Sequence, residues 1–147
     1  MLKTLSRIYP IQVLPDSVYT IRGIHLPNDM YSLTAAASDE IISAGLGFVC
    51  HVVSLCSKYM CIPLRYRVIC NSSRSAVRDD IDVFPLFKER VVEREQFDRA
   101  IVLLHRNIDL LIQMSGMPKM PLTAKSKPAH LLSKLKYLFH GIADNRV

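Results

Sequence analysis

The chain of 147 residues is half hydrophobic and 22% charged, with a formal net charge of +6. That size and balance suit one globular domain with its own core and exclude a chain disordered throughout. Five glycines and eight prolines exclude collagen-like and linker-like chains.

Residues 8–14 are apolar and read as a strand, and Pro15-Asp16-Ser17 supplies a turn signal. Residues 18–26, rich in β-branched and aromatic side chains, read as its hairpin partner, stopped by Pro27-Asn28-Asp29. A helix follows, with Ser38 as N-cap and Asp39 and Glu40 in its first turn. Two adjacent stripes run along it. One is Ile41, Gly45, Phe48, Val52, Leu55 and Tyr59; the other is Ile42, Leu46, Val49, Val53, Cys56 and Met60. Two stripes predict burial on more than one face, with Pro63 beyond the end. Residues 41–57 carry no formal charge, yet a stretch this short, with several serines and a histidine, is expected to be a core helix and not a membrane span.

The order then repeats. Residues 64–70 alternate with period two, Asn71-Ser72-Ser73 turns the chain, and residues 74–78 return as a short strand. A loop carries Phe84-Pro85-Leu86-Phe87. A second long helix spans about residues 93–114, with the seam Phe97, Ile101, Leu104, Ile108 and Leu111 and a stop at Gly116. The expectation is a mixed α/β fold of strand-strand-helix repeats, with two hairpins feeding one sheet and two long helices packed against it. Residues 1–116 are expected to form this repeat domain and residues 117–129 a Pro/Lys linker. Residues 130–147 are expected to hold a C-terminal amphipathic helix, over residues 131–140, and a tail, with Gly141 as the helix stop.

Charge is unevenly placed. Residues 1–60 are neutral, whereas residues 117–147 hold six basic residues against one acid. Around the second hairpin, Arg65, Arg67, Arg74 and Arg78 are predicted to line one edge of a sheet. Such a row meets phosphates of lipid or nucleic acid, pairs with Asp79, Asp80 and Asp82, or guards an edge strand. In the tail, Lys125, Lys127, Lys134 and Lys136 flank an apolar stripe of Leu131, Leu135, Leu138 and Phe139. That stripe either docks on the domain or lies on an anionic bilayer with the lysines at the headgroups.

Catalytic constellations are absent from the sequence: no phosphate-binding loop, HExxH or GxSxG motif occurs. Gly45-Leu46-Gly47 sits inside a helical pattern, where close packing explains it better than a dinucleotide fingerprint. His51 reads as a core histidine and His105 as a helix-flank residue. Cys50, Cys56, Cys61 and Cys70 form no CxxC pair, and the N-terminal residues have no apolar signal-peptide region, so reduced cytosolic thiols are expected. No cofactor or metal is expected. No interleaved basic and aromatic signature points to RNA, and nucleic acid is not an expected partner.

An ordered set of short segments is more specific. It runs Ile8-Tyr9-Pro10-Ile11, Gly23-Ile24-His25-Leu26-Pro27-Asn28, Leu46-Gly47-Phe48, His51-Val52-Val53-Ser54 and Ile62-Pro63-Leu64-Arg65-Tyr66. Then come Ser73-Arg74-Ser75, Phe84-Pro85-Leu86, Gln96-Phe97-Asp98 and Leu103-Leu104-His105-Arg106-Asn107-Ile108. Over residues 5–113 this set resembles the C-terminal domain of the UV-radiation-resistance-associated protein family. The resemblance implies a fold similar to the beclin membrane-binding domain. It also implies a non-catalytic subunit of a class III phosphatidylinositol 3-kinase complex, cytoplasmic and peripheral on endosomal or autophagic membranes. The implied partners are a beclin-like subunit, the lipid kinase and its pseudokinase scaffold, with an anionic membrane surface beside them. Family members carry a β-sandwich and a long coiled coil before this domain, so the expectation is a fragment, an excised domain or a reduced homologue. Residues 2–8 then read as the last turn of that coil. The competing expectations are a small cytosolic enzyme with an unrecognised site and a basic nucleic-acid-binding domain.

Overall fold

The computed structural model describes residues 7–14, 18–26, 39–87, 94–115 and 131–144. The expected turn at residues 15–17, the stop at residues 27–29, the Ser38 cap, the Gly116 stop and the linker lie outside the described residues. So do residues 2–6 of the expected coil turn. Within the described residues the fold is mixed α/β, built from two small antiparallel sheets and three long helices.

The first sheet has the order β1 (Ile11–Leu14), β2 (Val18–Ile21) and β3 (Ile24–His25). The single strand expected over residues 18–26 is interrupted. Ile21 pairs with Ile24 across a two-residue turn, Arg22 at φ 47° and Gly23 at φ 81°. Positive φ at both central residues matches the right-handed twist of the flanking strands, and Gly23 takes the second position without a Cβ penalty. Arg7 and Ile8 are helical, so β1 starts later than expected.

Helix α1 (Asp39–Met60) follows. Its Ile42, Leu46, Val49, Val53 and Cys56 stripe is buried as expected, together with Cys50 and Val52. The other stripe is only partly covered: Phe48 and Leu55 are half-buried, and Ile41 and Tyr59 are exposed. The helix is long and apolar enough to cross a membrane by composition, over Ile41–Met60. Here it is the core helix. It ends in a Schellman motif: Ile62 N–H donates to Ser57 C=O at 3.0 Å, and Cys61 N–H to Lys58 C=O at 3.3 Å. Cys61 takes the left-handed position at φ 56°, where glycine is the usual occupant.

The second sheet has the order β4 (Arg67–Ile69), β5 (Ala76–Arg78) and β6 (Val83–Pro85). The single sheet expected from the hairpins is thus two sheets of three strands. A 3-10 turn, Ser72–Arg74, takes the start of the expected return strand. Pro85, read as loop, belongs to β6. Because β6 is an edge strand, a missing N–H there is tolerated. Helix α2 (Arg94–Met114) buries Phe97, Ala100, Leu103, Leu104, Ile108, Leu111 and Ile112. Helix α3 (Leu131–Asp144) runs through Gly141, so that glycine is not the stop.

Helix α1 packs against β2 and β3 of one sheet and β4 of the other, and α2 covers β5 and β6. Helix α3 packs on α2, β1 and β2. One buried cluster joins residues of both sheets and all three helices, from Ile21 and Leu26 through Val77 and Leu86 to Leu135 and Leu138. Gly45 and Gly47 permit close approach: a Cβ on Gly45 would sit 2.8 Å from Leu26 Cδ2, and one on Gly47 2.0 Å from the Ser72 carbonyl oxygen.

Candidate partner and membrane surface

The second sheet turns alternate residues outward. Arg67 lies directly opposite Arg78, and Arg78 opposite Val83. The same register sets Val68, Val77 and Phe84 on the other face, where Val77 is fully buried. The outward side therefore carries two exposed guanidinium groups beside Ile69, 41% exposed, and Val83, 52% exposed. Like charges directly opposite each other oppose strand pairing. Among the described residues neither guanidinium is in an ion pair. Ile81, 87% exposed, caps the connection between β5 and β6.

Of the three acids in that connection, Asp79 holds the turn with its side chain. The Asp79 carboxylate accepts from the N–H groups of Ile81 at 2.8 Å and Asp82 at 2.7 Å. These two bonds, with a smaller contribution from Arg99, hold its carboxyl below the ordinary aspartate value.

The expected row of four arginines is not one row. Arg65 lies two residues before Arg67, and its guanidinium packs over the Tyr66 ring at 5.4 Å. Arg65 Nε donates to the Tyr66 hydroxyl oxygen at 3.1 Å, and Arg106 Nη1 reaches the same oxygen at 3.4 Å. Hydrogen bonds from these two arginines lower the phenol's pKa. Arg74 sits elsewhere, on the 3-10 turn, with its guanidinium 4.6 Å over the Phe87 ring. No local sequence signal places Arg106 beside Tyr66, because it lies on a helix, remote in sequence from the hairpin it joins.

In the tail, Leu131, Leu132, Leu135 and Leu138 are buried against protein, and Phe139 is half-buried. Of the two expected placements of this helix, the structure adopts docking. Lys134 Nζ lies 3.0 Å from Asp109 Oδ1, which ties α3 to α2, and the lysine side chain keeps 13% exposure. Lys136 is half-buried, and Lys125 and Lys127 lie outside the described residues.

His51, expected to be a core histidine, is not one. His51 is exposed, and its Nδ1 is hydrogen-bonded to the Tyr9 hydroxyl. His105, expected at a helix flank, is half-buried. Among the described residues no group of three or more His, Cys, Asp or Glu side chains is placed to hold a metal ion.

No protein-family model matches the chain. Relatives do. The chain is 35% identical over 125 residues to the UV radiation resistance-associated protein of Mus musculus, a match covering 80% of this chain. It is 33% identical over 126 residues, or 78% of the chain, to the vacuolar protein sorting-associated protein 38 of Schizosaccharomyces pombe. To the UV radiation resistance-associated gene protein of Drosophila melanogaster it is 30% identical over 125 residues, or 73% of the chain. These matches span only 18%, 25% and 18% of the respective relatives. Over most of its length the chain is homologous to proteins of the UV-radiation-resistance-associated and Vps38 kind.

Proposed function

We propose that the chain is the C-terminal domain of a protein of this family and serves as a non-catalytic scaffold subunit of a class III phosphatidylinositol 3-kinase complex in endosomal trafficking and autophagy. The observation that carries this reading is the alignment itself: relatives from a mammal, a fly and a fission yeast match 73–80% of the chain. The alternation of small sheets and long helices supports a likeness to the beclin membrane-binding domain. In this reading residues 1–116 are the repeat domain, residues 117–129 a Pro/Lys linker, and residues 130–147 a C-terminal amphipathic helix and tail. The partners are a beclin-like subunit and, through it, the lipid kinase and its pseudokinase scaffold. The complex works in the cytoplasm, at the surface of endosomal or autophagic membranes.

Arg67 and Arg78, which form no ion pair among the described residues and are flanked by exposed Ile69, Val83 and Ile81, are the surface best suited to an anionic membrane or an acidic partner face. Basic side chains reach phosphates while the apolar ones leave water. Arg65 and Arg106 extend the positive field beside Tyr66, and Arg74, Lys125, Lys127 and Lys136 stand as further contacts. Lys134 contributes less, being paired with Asp109.

Co-expression tests the reading. The tagged chain is purified with a beclin-like subunit, the kinase and its scaffold, and the eluate is sized by gel filtration. Co-elution of all four in one peak is expected. A chain that elutes alone, folded by circular dichroism, would overturn the proposal.

A further inference from the structure

Four cysteines are distributed over the core and its margin. Cys56 is fully buried, and desolvation pushes its thiol up to about 12, so it is inert. Cys61 is exposed at the end of α1, beside the Lys58 carbonyl. Cys50 and Cys70 differ from both, because they meet: their sulfurs are 3.5 Å apart, although the residues are twenty apart in sequence. Cys50 is buried on α1, and Cys70 is exposed at the end of β4.

Helix periodicity builds the surroundings. Cys50, Ser54 and Lys58 lie at successive four-residue intervals, so they share one side of α1. The Ser54 hydroxyl and the Lys58 charge both favour the anion of Cys70. Ser75 closes the turn after Cys70: its hydroxyl donates to the Ser72 carbonyl at 2.9 Å and accepts from Asn71 N–H at 3.0 Å. That turn is seated against Gly47, one helical turn before Cys50. Cys70 therefore faces Cys50 from a segment fixed on both sides.

We propose that Cys50 and Cys70 form an oxidisable dithiol, a modification site at which hydrogen peroxide converts the pair to a disulfide bridging α1 and β4. The exposed Cys70 thiolate attacks one peroxide oxygen. An S–O bond forms, the O–O bond breaks, and the departing hydroxide takes a proton to become water. The buried Cys50 sulfur then attacks the Cys70 sulfenic acid. The S–S bond forms, the S–O bond breaks, and the leaving hydroxide takes the Cys50 proton as a second water. Overall the two thiols lose two electrons and two protons, and the peroxide is reduced to two waters. Closure needs the sulfurs to approach from 3.5 Å to about 2 Å.

The two positions divide the labour. Hydrogen bonding to Cys50 is the main cause that brings the Cys70 thiol down to about 7, so much of it is ionised near neutrality. The same contact, with burial, holds Cys50 protonated until Cys70 has been oxidised. The exposed residue is then the peroxide-reacting group and the buried one the resolving group, as an oxidation ladder stopped at the disulfide requires.

The test exposes the full chain at neutral pH to a few equivalents of hydrogen peroxide, quenches with an alkylating maleimide, and reads intact mass and peptide maps. The expected result is a chain that carries two fewer maleimide adducts than its untreated control, with a Cys50–Cys70 linked peptide, reversed by dithiothreitol and still formed in Cys61→Ser. In Cys50→Ala the same treatment is expected to leave sulfenic acid on Cys70, trapped by a cyclic 1,3-diketone. In Cys70→Ala neither a disulfide nor a trapped adduct on Cys50 is expected. Linked peptides involving Cys61, or wild-type Cys70 advancing to sulfinic acid as fast as in Cys50→Ala, would overturn the proposal. The wild-type peptide map decides even where a variant folds poorly.

Discussion

The side chain of Asn107 holds the main chain of Tyr66 from both sides. Its Oδ1 accepts from Tyr66 N–H at 3.1 Å, and its Nδ2 donates to Tyr66 C=O at 2.7 Å. Asn107 is fully buried on α2, whereas Tyr66 leads into β4. A helix side chain thus does for Tyr66 what a neighbouring strand does inside a sheet. Asn107→Ala strands one donor and one acceptor on the Tyr66 backbone, at a cost of about 1–3 kcal/mol each if both stay dry. A fall in the urea midpoint with an unchanged slope is expected. Asn107→Asp should fare no better, since it loses the donor and adds a buried carboxylate.

The two helix glycines should respond unequally to alanine. At Gly45 the new methyl meets the Leu26 side chain, which can shift, and the expected loss is about 1 kcal/mol. At Gly47 it meets the Ser72 main-chain carbonyl, which cannot yield without moving the whole turn. A loss of about 3 kcal/mol or more is expected there. Denaturant melts of the two variants that coincide would show that the turn is softer than its packing indicates.

Cys61→Gly should stabilise the protein. The left-handed conformation costs an ordinary residue roughly 1–2 kcal/mol, and part of that gain is returned because glycine frees the unfolded chain. A net increase of about 0.5–1 kcal/mol is expected, with a higher thermal midpoint and intact Ile62-to-Ser57 hydrogen bonding.

Asp79 makes a specific acid-limb prediction. Its carboxyl is held below the ordinary 3.8 by backbone N–H groups, so the folded state favours the charged form. Its stabilising contribution is present in full above the unfolded value and is lost as pH falls through the lower folded value. Asp79→Asn keeps an oxygen acceptor for the turn but removes the titration. Its stability should therefore fall less steeply than wild type between neutral pH and the acid limb, as read by urea midpoints at a series of pH values.

Charge reversal separates the surface arginines from the tail. Arg67→Glu with Arg78→Glu should leave the melting temperature nearly unchanged or slightly raised, because a like-charged exposed pair is only exchanged for another. Binding to anionic vesicles should drop. Lys134→Ala should instead lower stability by up to about 1 kcal/mol, since it releases Asp109 at a partly exposed site, with little effect on vesicle binding. Co-sedimentation paired with thermal melts checks both outcomes.

The helices were legible because side-chain period alone places Leu46, Val49 and Val53, or Leu104, Ile108 and Leu111, on buried faces. The hairpin turn at Arg22-Gly23 was hidden inside a run of strand-forming residues, although Gly23 was the available signal. Pro85 read as loop because a proline argues against a strand only in the sheet interior, and edge position is not written locally. Gly141 read as a stop because packing of the leucine stripe outweighs the glycine penalty over one turn. The Arg67–Arg78 pairing depends on the β4–β5 register, which the turn through Asn71 and Ser75 sets. Asn107, Arg106 and the Cys50–Cys70 meeting were beyond reach for a common reason. Each joins segments through tertiary packing, and no spacing rule relates them.

Helix α1 touches strands of both sheets, and that has a consequence for how the domain unfolds. Solenoid repeats owe their modularity to interfaces made only with neighbours, so a terminal repeat can fray while the rest persists. Here the first strand-helix unit lends its helix to the second, through Gly47 against Ser72 and Cys50 against Cys70. Cutting the chain between the units would strip a buried face from each product. The repetition is one of pattern and not of autonomy, and the two units should melt in a single cooperative transition.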